Sequence, residues 1–251
     1  MTEYYRSRNA RNVDTDMVHE FELETCSKSA AFLDVKKRYT QILTWKDGKF
    51  YDEGSYPVKT KGLEIAKASF PAPARKILKD LVHKLLAYDG KDIIHQLNSI
   101  LMEGKERWLS LPITDISPSI SVNNYMKYII SDDGQWGPEC AKATPFQVRG
   151  LAYYNWLRQT KHLKGAPLYG GKLKYYIVKE SRPKRKQDSN TIFTYDPAEY
   201  PEWAEQYAPI DRIAMFEKCV LDPINRILTP IKLPNLSVHG QLTPSLFDDL
   251  F

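Results

Sequence analysis

Asp14-Thr15-Asp16 sets two carboxylates at i and i+2, and Lys36-Lys37-Arg38-Tyr39 sets three cations beside a phenol. Carboxylates so spaced can hold magnesium ions for nucleotidyl transfer or for metal-dependent cleavage of a phosphodiester. The surrounding residues argue against that use. Asn9-Ala10-Arg11-Asn12 precede the tripeptide, and only Val13 and Met17 flank it with apolar side chains. Such carboxylates need a hydrophobic hairpin beneath them, so Asp14 and Asp16 read as an exposed loop or helix end. Val35 to Thr40 reads as a short strand. Strand side chains alternate with period two, which puts Lys37 and Tyr39 on one face and Lys36 and Arg38 on the other. An ammonium and a phenol on one face fit the minor groove of a duplex, where both donate to acceptors that all base pairs offer. The same charges on an ordinary edge strand would serve to block aggregation.

The elements that must position these residues follow from the rest of the chain. Its 251 residues suffice for a sizeable core and one to two domains, and 42% are hydrophobic, an ordinary globular share. The net charge of +5 permits polyanion binding without requiring it. Cys26, Cys140 and Cys219 are far apart and show no CxxC spacing, which excludes a disulfide framework or a zinc site of that type. They point to a reduced cytoplasmic compartment. No apolar run approaches the ~18 residues of a membrane span, and the polar start is not a signal peptide.

Residues 19–68 read as β-rich. Phe21-Glu22-Leu23-Glu24 alternates, Ala31 to Trp45 is extended, and Lys46-Asp47-Gly48-Lys49 carries the Asp-Gly signal of a tight hairpin. Val58 to Lys67 reads as a third extended piece broken by Gly62. A helix follows, with Ser69 as its N-cap, Pro71 and Pro73 in its first turn, and one stripe of Ile77, Leu78, Leu81, Val82, Leu85 and Leu86. A second helix is predicted over Asp92 to Leu109, and a short one over Val122 to Ile130. Thr144-Pro145-Phe146-Gln147 fits a capping box for a helix that carries Arg149 and ends near Gly165. Lys172 to Lys179 and Ile192 to Tyr195 read as a hairpin around the basic loop Arg182-Pro183-Lys184-Arg185-Lys186. The last helix runs from Asp211 to Leu228, where Pro223 should kink it. Pro230, Pro234, Ser237 and Gly240 read as a linker to a tail whose Leu246, Phe247, Leu250 and Phe251 fall on one face of a helical turn. Apolar tails of that form insert into a hydrophobic groove on a partner.

These segments, in this order, resemble the C-terminal part of family B DNA polymerases of the T-even-type phage kind. Lys36-Lys37-Arg38-Tyr39 is similar to the element at that family's palm–thumb border. Lys61-Gly62-Leu63-Glu64 through Ser69 resembles the step into the thumb. Trp136-Gly137-Pro138-Glu139-Cys140, Phe146-Gln147-Val148-Arg149-Gly150 and Ile210 to Leu228 resemble thumb segments, and Ser245-Leu246-Phe247-Asp248 resembles the clamp-binding tail.

The resemblance implies an α+β fold. A small antiparallel palm sheet (19–68) would lead into a mainly helical thumb with a β-hairpin (69–232) and then a linker and flexible tail (233–251), after an N-terminal segment (1–18). It implies that Lys36, Lys37, Arg38, Tyr39, Lys67 and Ser69 contact primer–template DNA, with Arg149, Arg182, Lys184, Arg185 and Lys186 as further contacts. Leu246, Phe247, Leu250 and Phe251 would bind the sliding clamp. Only twenty-two residues separate Asp14 from Lys36, whereas the family places a palm helix and a strand between its catalytic aspartates and this element. The tripeptide is therefore a decoy. The expectation is one subunit of a split replicative polymerase, with no catalytic or metal-binding residue of its own. Its partner chain would carry the exonuclease, the fingers and the carboxylates that hold magnesium in the assembled enzyme. The other reading is a DNA-binding accessory that uses the clamp without a polymerase.

Overall fold

The computed structural model describes residues 23–88, 92–132, 138–140, 143–179 and 192–240. The fold is α+β, as the element pattern predicts. Four strands form the first sheet: β1 (Thr25–Phe32), β2 (Tyr39–Lys46), β3 (Lys49–Phe50) and β4 (Val58–Lys61). All pairings are antiparallel and β2 is central. It pairs β1 along one edge, and along the other it pairs β3 near Trp45 and β4 from Tyr39 to Ile42. Thr40, Gln41, Ile42 and Leu43 of β2 are all buried, as befits the central strand of the sheet. Asp47 and Gly48 both take positive φ, so the Asp-Gly turn forms where its residue types demand it.

After a 3₁₀ turn at Glu64–Ala66, α1 (Ala72–Leu86) packs on the sheet's inner face. Its six predicted stripe residues are all buried, joined by Ala74. They share one core with Ala31, Ile42, Leu63 and Ile65, and the Ser29 hydroxyl donates to the Leu86 carbonyl at 2.6 Å. Ser69 is not the cap. The N-cap is Pro71, without a side-chain bond, and the Ser69 carbonyl accepts from the Ser119 amide at 2.8 Å. Proline's fixed φ presets the entry into the helix and makes a polar cap dispensable.

α2 (Ile93–Ser110) lies against α1, burying Ile93, Leu97, Leu101 and Trp108. A short α3 (Ile113–Ile116) then leads to β5 (Ser119–Val122). The predicted helix over 122–130 is instead a 3₁₀ turn at Tyr125–Tyr128 followed by β6 (Ile129–Asp132), which pairs β7 (Pro138–Cys140). Asn124 in the left-handed region ends the preceding strand and leaves room for only one tight turn.

α4 (Phe146–Thr160) begins one residue later than the capping box predicts, with Pro145 in extended geometry as its N-cap. It also ends before Gly165. The His162 amide donates to the Gln159 carbonyl at 3.3 Å and the Leu163 amide to the Arg158 carbonyl at 2.9 Å. With His162 at φ 52, this is a Schellman closure built on a histidine where glycine is usual. β8 (Gly171–Ile177) pairs β5 on one side and β9 (Ile192–Tyr195) on the other. Gly150 of α4 allows a close approach to β9, because an added Cβ would overlap the Thr194 hydroxyl.

Beyond α5 (Ala204–Tyr207) comes the predicted last helix, capped by the Asp211 carboxylate on the Ala214 amide at 2.9 Å. Pro223 does disturb it. α6 (Arg212–Phe216) and α7 (Asp222–Leu228) are joined by a π turn at Glu217–Leu221. Proline offers no amide to the carbonyl four residues back, and the wider turn absorbs that loss. The segment read as a linker is packed as far as Gly240. Leu236 and Val238 are buried, and Asn225 both donates to and accepts from the Leu236 backbone at 2.9 and 2.8 Å. Lys105 donates to the Val238 carbonyl at 2.6 Å and Asn98 to that of Gly240 at 3.0 Å. Its backbone polar groups find side-chain partners, which is what lets an irregular segment be buried.

β8, β9 and α4 enclose an aromatic cluster of Tyr153, Tyr154, Tyr176, Phe193 and Tyr195. Burial pushes the phenols of Tyr153, Tyr154, Tyr175, Tyr176 and Tyr195 above the ordinary 10.0. It also pushes Tyr200 and the Cys219 thiol up to about 12. These groups keep their protons in the fold but lose them on unfolding at ordinary values, so their contribution is intact below about pH 9 and falls as pH rises further. We expect the tyrosinate absorbance of these six buried phenols to appear together with loss of far-UV ellipticity in an alkaline titration. Titration of these six phenols near pH 10 with the helices intact would contradict this.

Candidate nucleic-acid interface

Lys36, Lys37 and Arg38 do not lie in a strand. They form the turn that joins β1 to β2, and only Tyr39 belongs to β2. The Leu33 amide donates to the Arg38 carbonyl at 3.1 Å, and the Arg38 amide donates to the Val35 carbonyl at 3.3 Å. Lys37 has φ 65, the left-handed region that costs a residue with a Cβ roughly 1–2 kcal/mol. The two-faced alternation expected of Val35 to Thr40 is thus replaced by a reversal with Lys36 and Lys37 exposed at its tip. A run of charged residues shows no period, so extended and reversed backbone look alike in the sequence.

What holds the turn is Gly62. A Cβ there would sit 2.6 Å from the Lys37 carbonyl oxygen and 2.9 Å from the Arg38 Cγ, so only glycine lets the end of β4 approach this closely. Its φ of 71 adds a second requirement for glycine. Tyr39 sits in a cross-strand row, paired with Phe32 of β1 and Lys61 of β4. The Phe32 and Tyr39 rings are 5.8 Å apart, and Phe32 stays 66% exposed, so this row faces solvent. The adjacent row, Ala31–Thr40–Thr60, faces inward: Ala31 belongs to the core, and the Thr40 and Thr60 hydroxyls meet at 3.1 Å.

Lys67 and Ser69 lie on the segment between this sheet and α1. The Lys67 ammonium is 3.3 Å from Glu64, a carboxylate only 9% exposed, which Arg226 of α7 also approaches to 3.4 Å. Glu64 thereby ties the step out of the sheet to the far end of the helical unit. Ser69 opens onto a cleft of about 460 Å³ lined also by Arg75, Asp115, Ser117, Ser119 and Lys174. The Arg75 Nε is buried there without a hydrogen-bond partner among the described residues. Arg149 is exposed in the first turn of α4, on a separate element.

The structure therefore brings the turn, Tyr39 and the end of β4 together, places Lys67 and Ser69 on the segment that follows, and sets Arg149 apart. Sequence reasoning did not single out Lys59, Lys61 or Lys174, and it took Arg75 only as part of a cationic helix start beside the Ser69 hydroxyl. The alternation in Val58-Lys59-Thr60-Lys61 is visible in the sequence, but its alignment with Tyr39 is a matter of register. Asp14, Asp16, Phe21, Glu22, Trp136 and Gly137 lie outside the described residues. So do Arg182, Lys184, Arg185, Lys186, Leu246, Phe247, Leu250 and Phe251. Among the described residues no cluster of three or more histidine, cysteine or acidic side chains is placed to hold a metal, and Cys26 and Cys219 are free. No helix among them is long and apolar enough to cross a membrane.

Similarity to known proteins places the chain in a distant relationship with DNA-directed DNA polymerases. One relative is the DNA-directed DNA polymerase of Escherichia phage RB69, 31% identical over 120 residues, which are 48% of this chain. The matched stretch covers only 12% of that polymerase's length. No protein-family model matches the chain.

Proposed function

We propose that the chain is the C-terminal, palm-end and thumb part of a family B replicative DNA polymerase, and that it grips primer–template duplex without performing the chemistry. The observation that carries this reading is the cationic turn at Lys36-Lys37-Arg38, held by Gly62 and set beside the solvent-facing Tyr39. Segments 33–38 and 58–62 together bear five cations, Lys36, Lys37, Arg38, Lys59 and Lys61, against the single carboxylate of Asp34. Donors from Lys37 and Tyr39 entering a minor groove meet acceptors shared by every base pair, as sequence-independent copying needs. Lys36, Arg38, Lys67 and Ser69 then meet phosphates, which fix register without reading sequence. The Leu246, Phe247, Leu250 and Phe251 tail reaches the sliding clamp.

The magnesium-binding carboxylates belong to a separate chain that supplies exonuclease, fingers and catalytic palm. Exposed apolar side chains on the first sheet and its flanking segments support a missing neighbour: Leu23, Phe32, Val35 and Phe50 are all more than half exposed. β1 pairs only β2 among the described residues, leaving its outer edge for another strand.

Primer extension with magnesium tests the division of labour. The purified chain alone should extend nothing, and extension should appear when the chain bearing the catalytic carboxylates is added. Extension by this chain alone would contradict the proposal. Duplex binding that never alters extension would instead favour a clamp-using accessory.

A further inference from the structure

We propose that Lys59 and Lys61 of β4 form a two-phosphate rail that holds one backbone strand of duplex DNA beside Tyr39. The inference rests on the duplex-gripping reading above and adds contacts that the Lys36–Tyr39 turn does not supply. Thr60 points inward, with its hydroxyl on Thr40, so the residues on either side of it must point outward. Lys61 pairs across the ladder with Tyr39, and Lys59 with Gln41. Residues directly opposite in an antiparallel pair have Cβ atoms about 5 Å apart, so the Lys61 ammonium shares its surroundings with the Tyr39 ring.

Two lysines at i and i+2 on one strand face stand about 6.8 Å apart, a spacing comparable to that of neighbouring phosphates on one DNA strand. Neither has a carboxylate partner among the described residues. Ion pairs among the described residues engage Lys46, Lys67 and Arg226 instead. β4 is an edge strand that pairs only β2 among the described residues, so no further strand lies between this rail and solvent. Phe32 flanks Tyr39 on the side away from Lys61, which confines the added cations to one side of the groove-facing residue. Charge complementarity to a polyanion follows from the excess of cations on the turn and β4.

The test is the salt dependence of duplex affinity for the full chain, using fluorescent duplexes of two unrelated sequences. Lys59→Ala and Lys61→Ala should each reduce the slope of log K against log salt by about 0.9, and the double variant by twice that. The loss should be equal on both sequences, Lys61→Arg should restore the slope, and thermal unfolding should not change. An unchanged slope in the double variant, with Lys37→Ala still weakening binding, overturns the rail and leaves the lysines as guards of a sheet edge. Absence of salt-dependent duplex binding by the unaltered chain overturns both the rail and the gripping role beneath it.

Discussion

Gly62→Ala is expected to destabilise the chain by about 2–3 kcal/mol and to abolish most duplex binding, through left-handed strain and a steric overlap acting together. The overlap is the decisive part. The atom in the way is the Lys37 carbonyl oxygen, 2.6 Å from the new Cβ, and backbone cannot rotate aside as a flexible side chain can. The turn itself must move, taking Lys36 and Lys37 away from Tyr39. Gly48→Ala separates strain from displacement, because Gly48 also has positive φ but nothing lies within 4 Å of its added Cβ. It should cost roughly 1–2 kcal/mol and leave duplex affinity unchanged. Denaturant midpoints and duplex titrations on the two variants give the comparison. Equal affinities would show that the turn tolerates displacement or makes no contact.

Trp108→Ala should be the most damaging single change to the helical unit. Trp108 is fully buried on α2, and its indole N–H donates to the Arg212 carbonyl at 3.1 Å. Its ring meets Phe216 of α6 edge-on at 5.8 Å, and the Arg212 guanidinium returns a bond to the Leu111 carbonyl at 2.6 Å. Truncation costs about 3–5 kcal/mol for the cavity and a further ~0.5–1.5 kcal/mol for the lost indole hydrogen bond. A domain stable by about 5–15 kcal/mol can lose most of its folded population to that sum. Trp108→Phe keeps most of the volume and loses the bond, so it should retain the fold with a lowered melting temperature. If Trp108→Ala melts like the parent, the coupling of α2 to α6 is misassigned.

The helices were legible wherever apolar residues recur with helical period. Ile77 to Leu86 fall inside as their spacing requires, and so do Leu97 and Leu101. The Asp47-Gly48 turn and the pairing of β8 with β9 were legible because turn chemistry and β-rich runs are local signals. The caps were not. Ser69 and Thr144 have the right side chains, but the neighbouring prolines set the helix starts at Pro71 and Pro145. The end of α4 went unseen because His162, not a glycine, takes the left-handed position. The packed segment before Gly240 looked like a linker because its anchors, Asn98, Lys105 and Asn225, lie far away in sequence.

The candidate interface was half legible. Residue types at 36–39 gave the charge and the donors. Their backbone depends on Gly62, more than twenty residues away in sequence, and Lys59 and Lys61 join them only through the ladder between β2 and β4.

The central claim is sequence-independent duplex grip by this turn, and equilibrium binding of the chain to primer–template duplexes across a salt series tests it most directly. The account predicts equal affinity for unrelated sequences and a linear fall of log K with log salt. It also predicts uniform weakening by Lys37→Ala and by Tyr39→Phe, with only the former reducing the salt slope. Binding that distinguishes sequences, or that is indifferent to Lys37 and Tyr39, would contradict it.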